Sequence, residues 1–267
     1  MIKLIISDLD GTLLHDHSTI HDADIAALRQ AKECSVAVAF ASGRMYPEIQ
    51  EVARSIELQV HAISQNGAYT HLVDGRQIKA DYFPRELQLE IIRHGRSTPY
   101  QMLLCAPDYY IIEEDTAHAR RLEPRLKAPL KIIPDLTERL GRDIPSSKMS
   151  FFGEVEALRE YLPLVKQQFG DAIDAYIADI DCLDIMPSGI SKGVGAHALL
   201  EKLGLTVDEV VCIGDSFNDL PLFAITPNSY AIASSHPDVQ ARAAHTTPSV
   251  AAVVEQVLAG TVAGRRS

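Results

Sequence analysis

The chain has 267 residues, 46% hydrophobic and 23% charged, and 25 lysines and arginines against 36 aspartates and glutamates leave a net charge of −11. This composition suits a soluble globular protein with a substantial core, and the acidic balance argues against nucleic acid or an anionic membrane as a partner. No apolar run reaches the ~20 residues of a membrane helix, and Met1–Ile6 runs into Asp8 and Asp10 without a cleavage site, so a cytoplasmic location is expected.

Leu4-Ile5-Ile6 is a short apolar, β-branched run that predicts a buried strand ending at Ser7 and Asp8. Ile20–Lys32 has Ile25 and Leu28 at helical spacing and Asp22 and Asp24 near its start, which predicts a helix. Val36–Phe40 reads as a second buried strand, Pro47–Ile56 as a helix and His61–Ser64 as a third strand. The alternation predicts a parallel α/β sheet. After Asn66-Gly67 the rhythm changes. Tyr69–Val73 and Arg76–Asp81 flank Asp74-Gly75, a hairpin signal. Pro84–Arg96 reads as a helix, Met102–Cys105 and Tyr109–Glu113 as strands around Pro107-Asp108, and Thr116–Arg125 as a helix. Met149–Phe152 is a predicted strand, Glu154–Phe169 a helix, and Ala172–Ala178 with Cys182–Met186 a strand pair around Asp179. From Ser191 the α/β rhythm returns: a helix to Leu203, a strand Val210–Ile213, a helix from Asn218, a strand Tyr230–Ala233, and helices Pro237–Arg242 and Ser249–Leu258, with Gly260–Ser267 read as a frayed tail.

The expected fold class is α/β: a Rossmann-like parallel-sheet core of residues 1–82 and 188–267, with an inserted α+β cap over 83–187. Cys34, Cys105, Cys182 and Cys212 form no CxxC pair, and three of them lie in apolar runs, so they read as reduced core residues.

Ligands of an open parallel sheet bind beyond the carboxyl ends of its strands. Asp8 and Asp10 follow the first strand, Ser42 the second, and Asp215 follows Val211-Cys212-Ile213-Gly214 with Asn218 and Asp219 close behind. Lys192 opens a helix after Met186-Pro187. Several carboxylates together are costly unless a cation neutralises them. Mg²⁺ takes hard oxygen ligands, and a lysine and a hydroxyl can hold phosphoryl oxygens. A carboxylate can attack phosphorus, while a second, two residues on, protonates the leaving alcohol and then activates water. This pattern predicts Mg²⁺-dependent chemistry on a small phosphate ester, with Asp8 and Asp10 as nucleophile and general acid/base.

Asp8-Leu9-Asp10-Gly11-Thr12-Leu13 resembles the first motif of the haloacid dehalogenase superfamily. Ser42 in Ala41-Ser42-Gly43-Arg44 resembles the second, Lys192 in Gly189-Ile190-Ser191-Lys192-Gly193 the third, and Gly214-Asp215-Ser216-Phe217-Asn218-Asp219 the fourth, in the same chain order. The insertion is similar to the type IIB cap of the Cof-like sugar-phosphatase subfamily, and Ser64-Gln65-Asn66-Gly67-Ala68 resembles that subfamily's Asn-Gly-Ala loop. The resemblance implies that Asp8 attacks phosphorus and ligates Mg²⁺, and that Asp10 is the acid/base with its carbonyl on the metal. It implies that Lys192 neutralises Asp8 and the phosphoryl charge, and that Asp215 and Asp219 ligate the metal or its water. Ser42, Gly43, Arg44 and Asn218 would contact phosphate or substrate, Arg44 being equally readable as a structural ion pair. Leu222 stands where a methionine is common, a packing change.

Two other patterns are weaker. Gly193-Val194-Gly195-Ala196-His197-Ala198 matches the GxGxxA dinucleotide pattern but lies after the insertion, before a strand that ends in another motif. His15, His17 and His21 lack a Cys or carboxylate at ligand spacing and read as a solvated loop. Tyr109-Tyr110 either lines a cap pocket or packs. The expected function is hydrolysis of sugar phosphates, or of phosphorylated cofactors such as FMN or pyridoxal phosphate, by a monomer or small homo-oligomer. The alternatives are a phosphosugar mutase and a catalytically silent binding or regulatory protein on the same fold. Pro and Gly near Tyr82–Pro84 and Met186–Gly189 suit hinges for cap closure.

Overall fold

The computed structural model describes residues 1–16, 18–140 and 144–262, and the statements below concern those. His17 and the end of the tail, Ala263–Ser267, lie outside them. The chain divides into two compact units, Met1–Ala80 with Ser191–Ser267, and Asp81–Ile190.

The first unit begins with β1 (Leu4–Ser7), α1 (Asp22–Glu33), β2 (Ala37–Ala41), α2 (Tyr46–Ser55) and β3 (His61–Ser64), followed by β4 (Tyr69–His71) and β5 (Gln77–Ala80). Pro47 in the first turn of α2 gives up an N–H that has no helical partner there, and Glu48 accepts the N–H of Met45 at 2.6 Å.

The second unit contains α3 (Arg85–Arg96), β6 (Gln101–Cys105), β7 (Tyr110–Ile112), α4 (Ala117–Leu122), β8 (Leu130–Ile132), α5 (Leu136–Arg139), β9 (Lys148–Phe152), α6 (Val155–Phe169), β10 (Ile173–Asp179) and β11 (Cys182–Pro187). Its sheet runs β10-β11-β9-β6-β7-β8, antiparallel except for the parallel β7–β8 pair. Period-two alternation sends Met149, Phe151, Leu183 and Ile185 to one face, where they pack with Ile91 and Ile92 of α3 and Leu158, Tyr161 and Val165 of α6. Their strand neighbours Lys148, Ser150 and Asp184 form a buried polar cluster: the Lys148 ammonium lies 3.1 Å from Asp184, which also accepts a hydrogen bond from Ser150 at 2.5 Å.

The chain then returns through α7 (Lys192–Leu203), β12 (Val210–Gly214), α8 (Leu220–Phe223), β13 (Ser229–Ile232), α9 (Pro237–Gln240), β14 (His245–Thr247) and α10 (Val250–Leu258). The first unit's sheet runs β14-β13-β12-β1-β2-β3-β4-β5, parallel from β14 to β3 and antiparallel in the terminal hairpin. Both faces are buried, which is why its central strands are continuous apolar runs. Ile5, Val38, Phe40, Val211 and Ile213 pack in one cluster with residues of α1, α2 and α10, whereas Leu4, Ile6, Ala39, Ala41 and Cys212 pack in another with α7.

Several expectations need correction. The helix expected from Asn218 is a 3₁₀ turn, Phe217–Asp219, followed by the four residues of α8, because the Asp219 carboxylate takes the N–H groups of Asp215 and Ser216 and tightens the turn. The helix expected over Thr116–Arg125 becomes 3₁₀ at Glu123–Arg125, where Pro124 lacks an N–H. The strands β8 and β14 and the helix α5, each three or four residues, were not anticipated. Cys105, Cys182 and Cys212 are buried, Cys34 is exposed, and none of the four is in a disulfide.

Candidate active site

The register of the parallel sheet builds the site. β1 lies between β12 and β2, with Ser7 opposite both Ile213 and Phe40. Asp8, Asp215 and Ser42 therefore emerge at adjacent carboxyl ends. The Asp8 N–H continues the β1 ladder to Ile213 at 2.9 Å, which fixes the backbone from which its side chain departs. Lys192 is the first residue of α7, whose N-cap Ser191 accepts the N–H of Val194.

Lys192 is fully buried, and its ammonium donates to Asp8 Oδ1 and Asp219 Oδ1, both at 2.7 Å. Asp219 turns its other oxygen to the backbone of Asp215 and Ser216, at 3.0 Å each. Asp215 Oδ1 accepts from Thr12 at 2.7 Å. Gly11 is left-handed at φ +82°, and a Cβ there would lie 2.4 Å from Asp215 Oδ2, so glycine permits both the turn and the close approach. One carboxylate oxygen from each of Asp8, Asp215 and Asp219 lies within 4.8 Å of the others.

Burial, then the charge of Asp219, pushes the Asp8 carboxyl well above the usual carboxylate range, and Lys192 pulls it partly back. Burial also raises Asp215, against the lowering effect of the Thr12 hydrogen bond. Burial works against the Lys192 ammonium, but Asp219 and Asp8 outweigh it and raise its pKa. Three carboxylates around one ammonium leave an excess of negative charge among hard oxygen donors. That donor set fits a divalent cation, which such sites hold through a few carboxylates and water.

Asp10 departs from this cluster. Its carboxylate takes two hydrogen bonds from Arg44, from Nε at 2.8 Å and Nη2 at 2.5 Å. Burial works to lower the pKa of Arg44, and the Asp10 hydrogen bond and charge reverse that. Ser42 Oγ accepts the N–H of Arg44 at 3.1 Å. Asn66 and Gln65 are left-handed, at φ 53° and 47°. Asn66 sends its N–H to Ser42 O at 2.9 Å and accepts from the Asn218 amide at 3.2 Å, joining the segments after β2, β3 and β12. A Cβ on Gly43 would lie 3.4 Å from the Asn66 amide.

The structure thus gathers Asp8, Lys192, Asp215 and Asp219 directly, places Asp10 on Arg44, and links Ser42 to Asn218 through Asn66. Thr12 and Asn66 were given no individual part by sequence reasoning. The Thr after Asp-Gly and the Asn before Gly67 were the available signals. The Gly193–Ala198 pattern has a packing role: Cβ atoms would lie 2.4 Å from Pro221 O at Gly193 and 2.5 Å from Ile63 Cγ2 at Gly195. One part of the histidine reading needs correction: Asp24, one helical turn on from His21, puts a carboxylate within ligand spacing of His15 and His21, while His21 is exposed as a solvated loop requires.

A family model described as haloacid dehalogenase-like hydrolase matches residues 5–256. A protein of Serratia proteamaculans named HMP-PP phosphatase is 26% identical over 247 residues, covering 90% of this chain and 87% of that protein. An Escherichia coli O157:H7 protein of the same name is 22% identical over 245 residues, covering 92% and 89%. Among solved structures, one from Thermotoga maritima superposes with a TM-score of 0.86 at 24% identity, covering 96% of this chain and 97% of that one. A haloacid dehalogenase-like hydrolase from Bacteroides thetaiotaomicron gives 0.84 at 23% identity, covering 96% and 100%. These two likenesses show the shared fold. With the family match across nearly the whole chain, they establish that the chain belongs to the haloacid dehalogenase-like hydrolases and is an enzyme of the phosphatase type.

Proposed function

We propose that this enzyme hydrolyses small phosphomonoesters, sugar phosphates or phosphorylated cofactors such as FMN or pyridoxal phosphate, with Mg²⁺ and through a phosphorylated Asp8. The observation that carries this reading is Asp8 itself, 3% exposed and hydrogen-bonded to Lys192, beside Asp215 and Asp219. Relatives named HMP-PP phosphatase support a small phosphate ester as the substrate class.

The Asp8 carboxylate attacks phosphorus, the bond to the ester oxygen breaks, and the departing oxygen takes a proton from Asp10. Arg44, which donates to both oxygens of Asp10, orients that carboxylate for the transfer. Asp10 then takes a proton from water as the water attacks the phosphorylated Asp8, which releases phosphate and restores the carboxylate. Lys192 holds Asp8 in place and offsets the charge of the transferring group. Ser42, Asn218 and the backbone at Gly43 offer hydrogen bonds to phosphoryl oxygens. Asp8, Asp215, Asp219 and the Asp10 carbonyl would hold Mg²⁺, which when bound offsets the negative charge of the phosphoryl group and the carboxylates. The inserted residues 83–187 would select among substrates.

Assay of phosphate release from a panel of phosphate esters with Mg²⁺ tests the reading. In Asp8→Asn, turnover is expected to fall by about a thousandfold or more, the loss typical of removing a nucleophile. Full activity in that variant would sink the mechanism.

A further inference from the structure

We propose that His15, His21 and Asp24 form a second metal site, suited to Zn²⁺ or a similar transition metal and sharing no residue with the acidic cluster around Asp8. Two groups point to it independently. Asp24, in the first turn of α1, is 1% exposed, yet its carboxylate has no cationic side chain as partner among the described residues. It accepts one hydrogen bond, from the N–H of Ala251 at the start of α10, at 2.7 Å. Buried carboxylates are ordinarily paired with a cation or coordinated to a metal. The second group is His15 Nε2, which is shielded from solvent and has no hydrogen-bond partner among the described residues.

These two groups converge with a third ligand. His21 caps the start of α1 three residues before Asp24, and its ring stacks on His15 with centroids 3.9 Å apart and planes inclined by 12°. One ligand atom from each of the three residues lies within 4.8 Å of the others. Around a tetrahedral ion with bonds of ~2.0–2.2 Å, ligand atoms sit about 3.4 Å apart. To bind an ion in this way, the two imidazoles must leave their stack and draw closer to Asp24. Two imidazoles and a carboxylate select Zn²⁺ or a neighbouring transition metal, whereas the all-oxygen set at Asp8 suits Mg²⁺. Water would complete the coordination. Such an ion would tie the segment after Asp8 and Asp10 to α1 and, through Asp24, to α10.

The test is calorimetric titration of the whole protein with Zn²⁺ at saturating Mg²⁺, with Co²⁺ as a spectroscopic substitute. Wild type is expected to bind one equivalent of Zn²⁺ and to give the visible bands of a low-coordinate Co²⁺ site with imidazole ligands. His15→Gln and His21→Gln are each expected to weaken Zn²⁺ binding at least tenfold and to remove those bands. His21 is exposed and His15 partly exposed, and neither change touches the Asp24–Ala251 hydrogen bond, so melting temperatures of the metal-free variants near that of wild type will show that the fold is kept. The proposal fails if wild type takes up no Zn²⁺ in excess Mg²⁺. It fails equally if both histidine variants bind Zn²⁺ as wild type does, or if Asp215→Asn alone removes the binding.

Discussion

Arg44 grips Asp10 through two nitrogens, Nε on Oδ2 and Nη2 on Oδ1, although the residues lie 34 positions apart. The fork fixes the carboxylate plane as well as its place, which a lysine cannot do. Arg44→Lys keeps the charge and loses the fork. Both side chains are partly exposed, at 22% and 31%, so the pair adds little to stability. Arg44→Lys should therefore lower kcat about tenfold or more while leaving the melting temperature near that of wild type. The half-saturating Mg²⁺ concentration should move little, because Arg44→Lys keeps the positive charge near the acidic cluster. An unchanged kcat would show that the orientation of Asp10 does not limit turnover.

The acidic cluster predicts linked binding of Mg²⁺ and protons. Burial and Asp219 raise Asp8, and burial raises Asp215, above their values in the unfolded chain. Between the ordinary carboxylate range and those raised values, the metal-free folded state holds more protons than the unfolded state. The metal-free protein should therefore lose stability as pH rises through that window. A bound divalent cation favours the ionised carboxylates and reverses the tendency. Titration calorimetry at pH values within that window, in buffers of different ionisation enthalpy, should show proton release on Mg²⁺ binding. The thermal stabilisation given by Mg²⁺ should be larger at about pH 7.5 than at about pH 5. Equal stabilisation at both pH values would contradict the raised carboxylates.

Residues with a local cause were readable from the sequence. His61–Ser64 and Val210–Ile213 announce themselves because a strand buried on both faces needs an unbroken apolar run. Asp8, Asp215, Asp219 and Lys192 were legible because each lies at the end of such a strand or the start of a helix. The elements that escaped lack that pattern. Leu130–Ile132 is a three-residue edge strand enclosed by Pro129 and Pro134, and His245–Thr247 is a short polar strand. Pairings set only by sheet register or by helix packing also escaped: Arg44 with Asp10, Asn66 with Asn218, and Asp24 of α1 with Ala251 of α10. A single sequence carries no local mark of which distant side chain will stand opposite.

Asn66 separates backbone from side-chain contributions. Its left-handed φ of 53° suits Asn or Gly, and its amide accepts from Asn218 at 3.2 Å. Asn66→Gly keeps the backbone at ease and removes only the amide. Asn66→Ala removes the amide and adds strain. Asn66→Gly should raise KM for a phosphate ester by about threefold to tenfold, as expected for a lost ~1 kcal/mol positioning hydrogen bond, with little change in melting temperature. Asn66→Ala should show the same KM change and a further destabilisation of about 1 kcal/mol or more by chemical denaturation. If the two variants were equally stable, the left-handed backbone would carry no strain worth relieving.

Lys148 and Asp184 offer a test in the inserted unit. Their side chains are only 10% and 7% exposed and lie 3.1 Å apart, and Ser150 hydrogen-bonds the free side of Asp184. Burial works to lower the pKa of Lys148, but Asp184, joined by Cys105, Tyr110 and Tyr176, outweighs it, so the ammonium is held well above its usual range. A lysine raised in the folded state contributes stability that is complete below its unfolded pKa and fades as pH rises through the raised value, which places the loss at strongly alkaline pH. Removing one partner leaves a buried charge unmatched, so Lys148→Met and Asp184→Leu should each cost about 3–5 kcal/mol in denaturant unfolding. Removing both replaces an ion pair with apolar contact, and such replacements are often neutral or stabilising. The double variant should therefore unfold within about 1 kcal/mol of wild type, far from the sum of the single losses. If the double variant lost as much as the two single ones together, the pair would be no coupled unit. Lys148 and Asp184 would then each depend on other groups of the same sheet, with Ser150 and Cys182 the nearest candidates for Asp184.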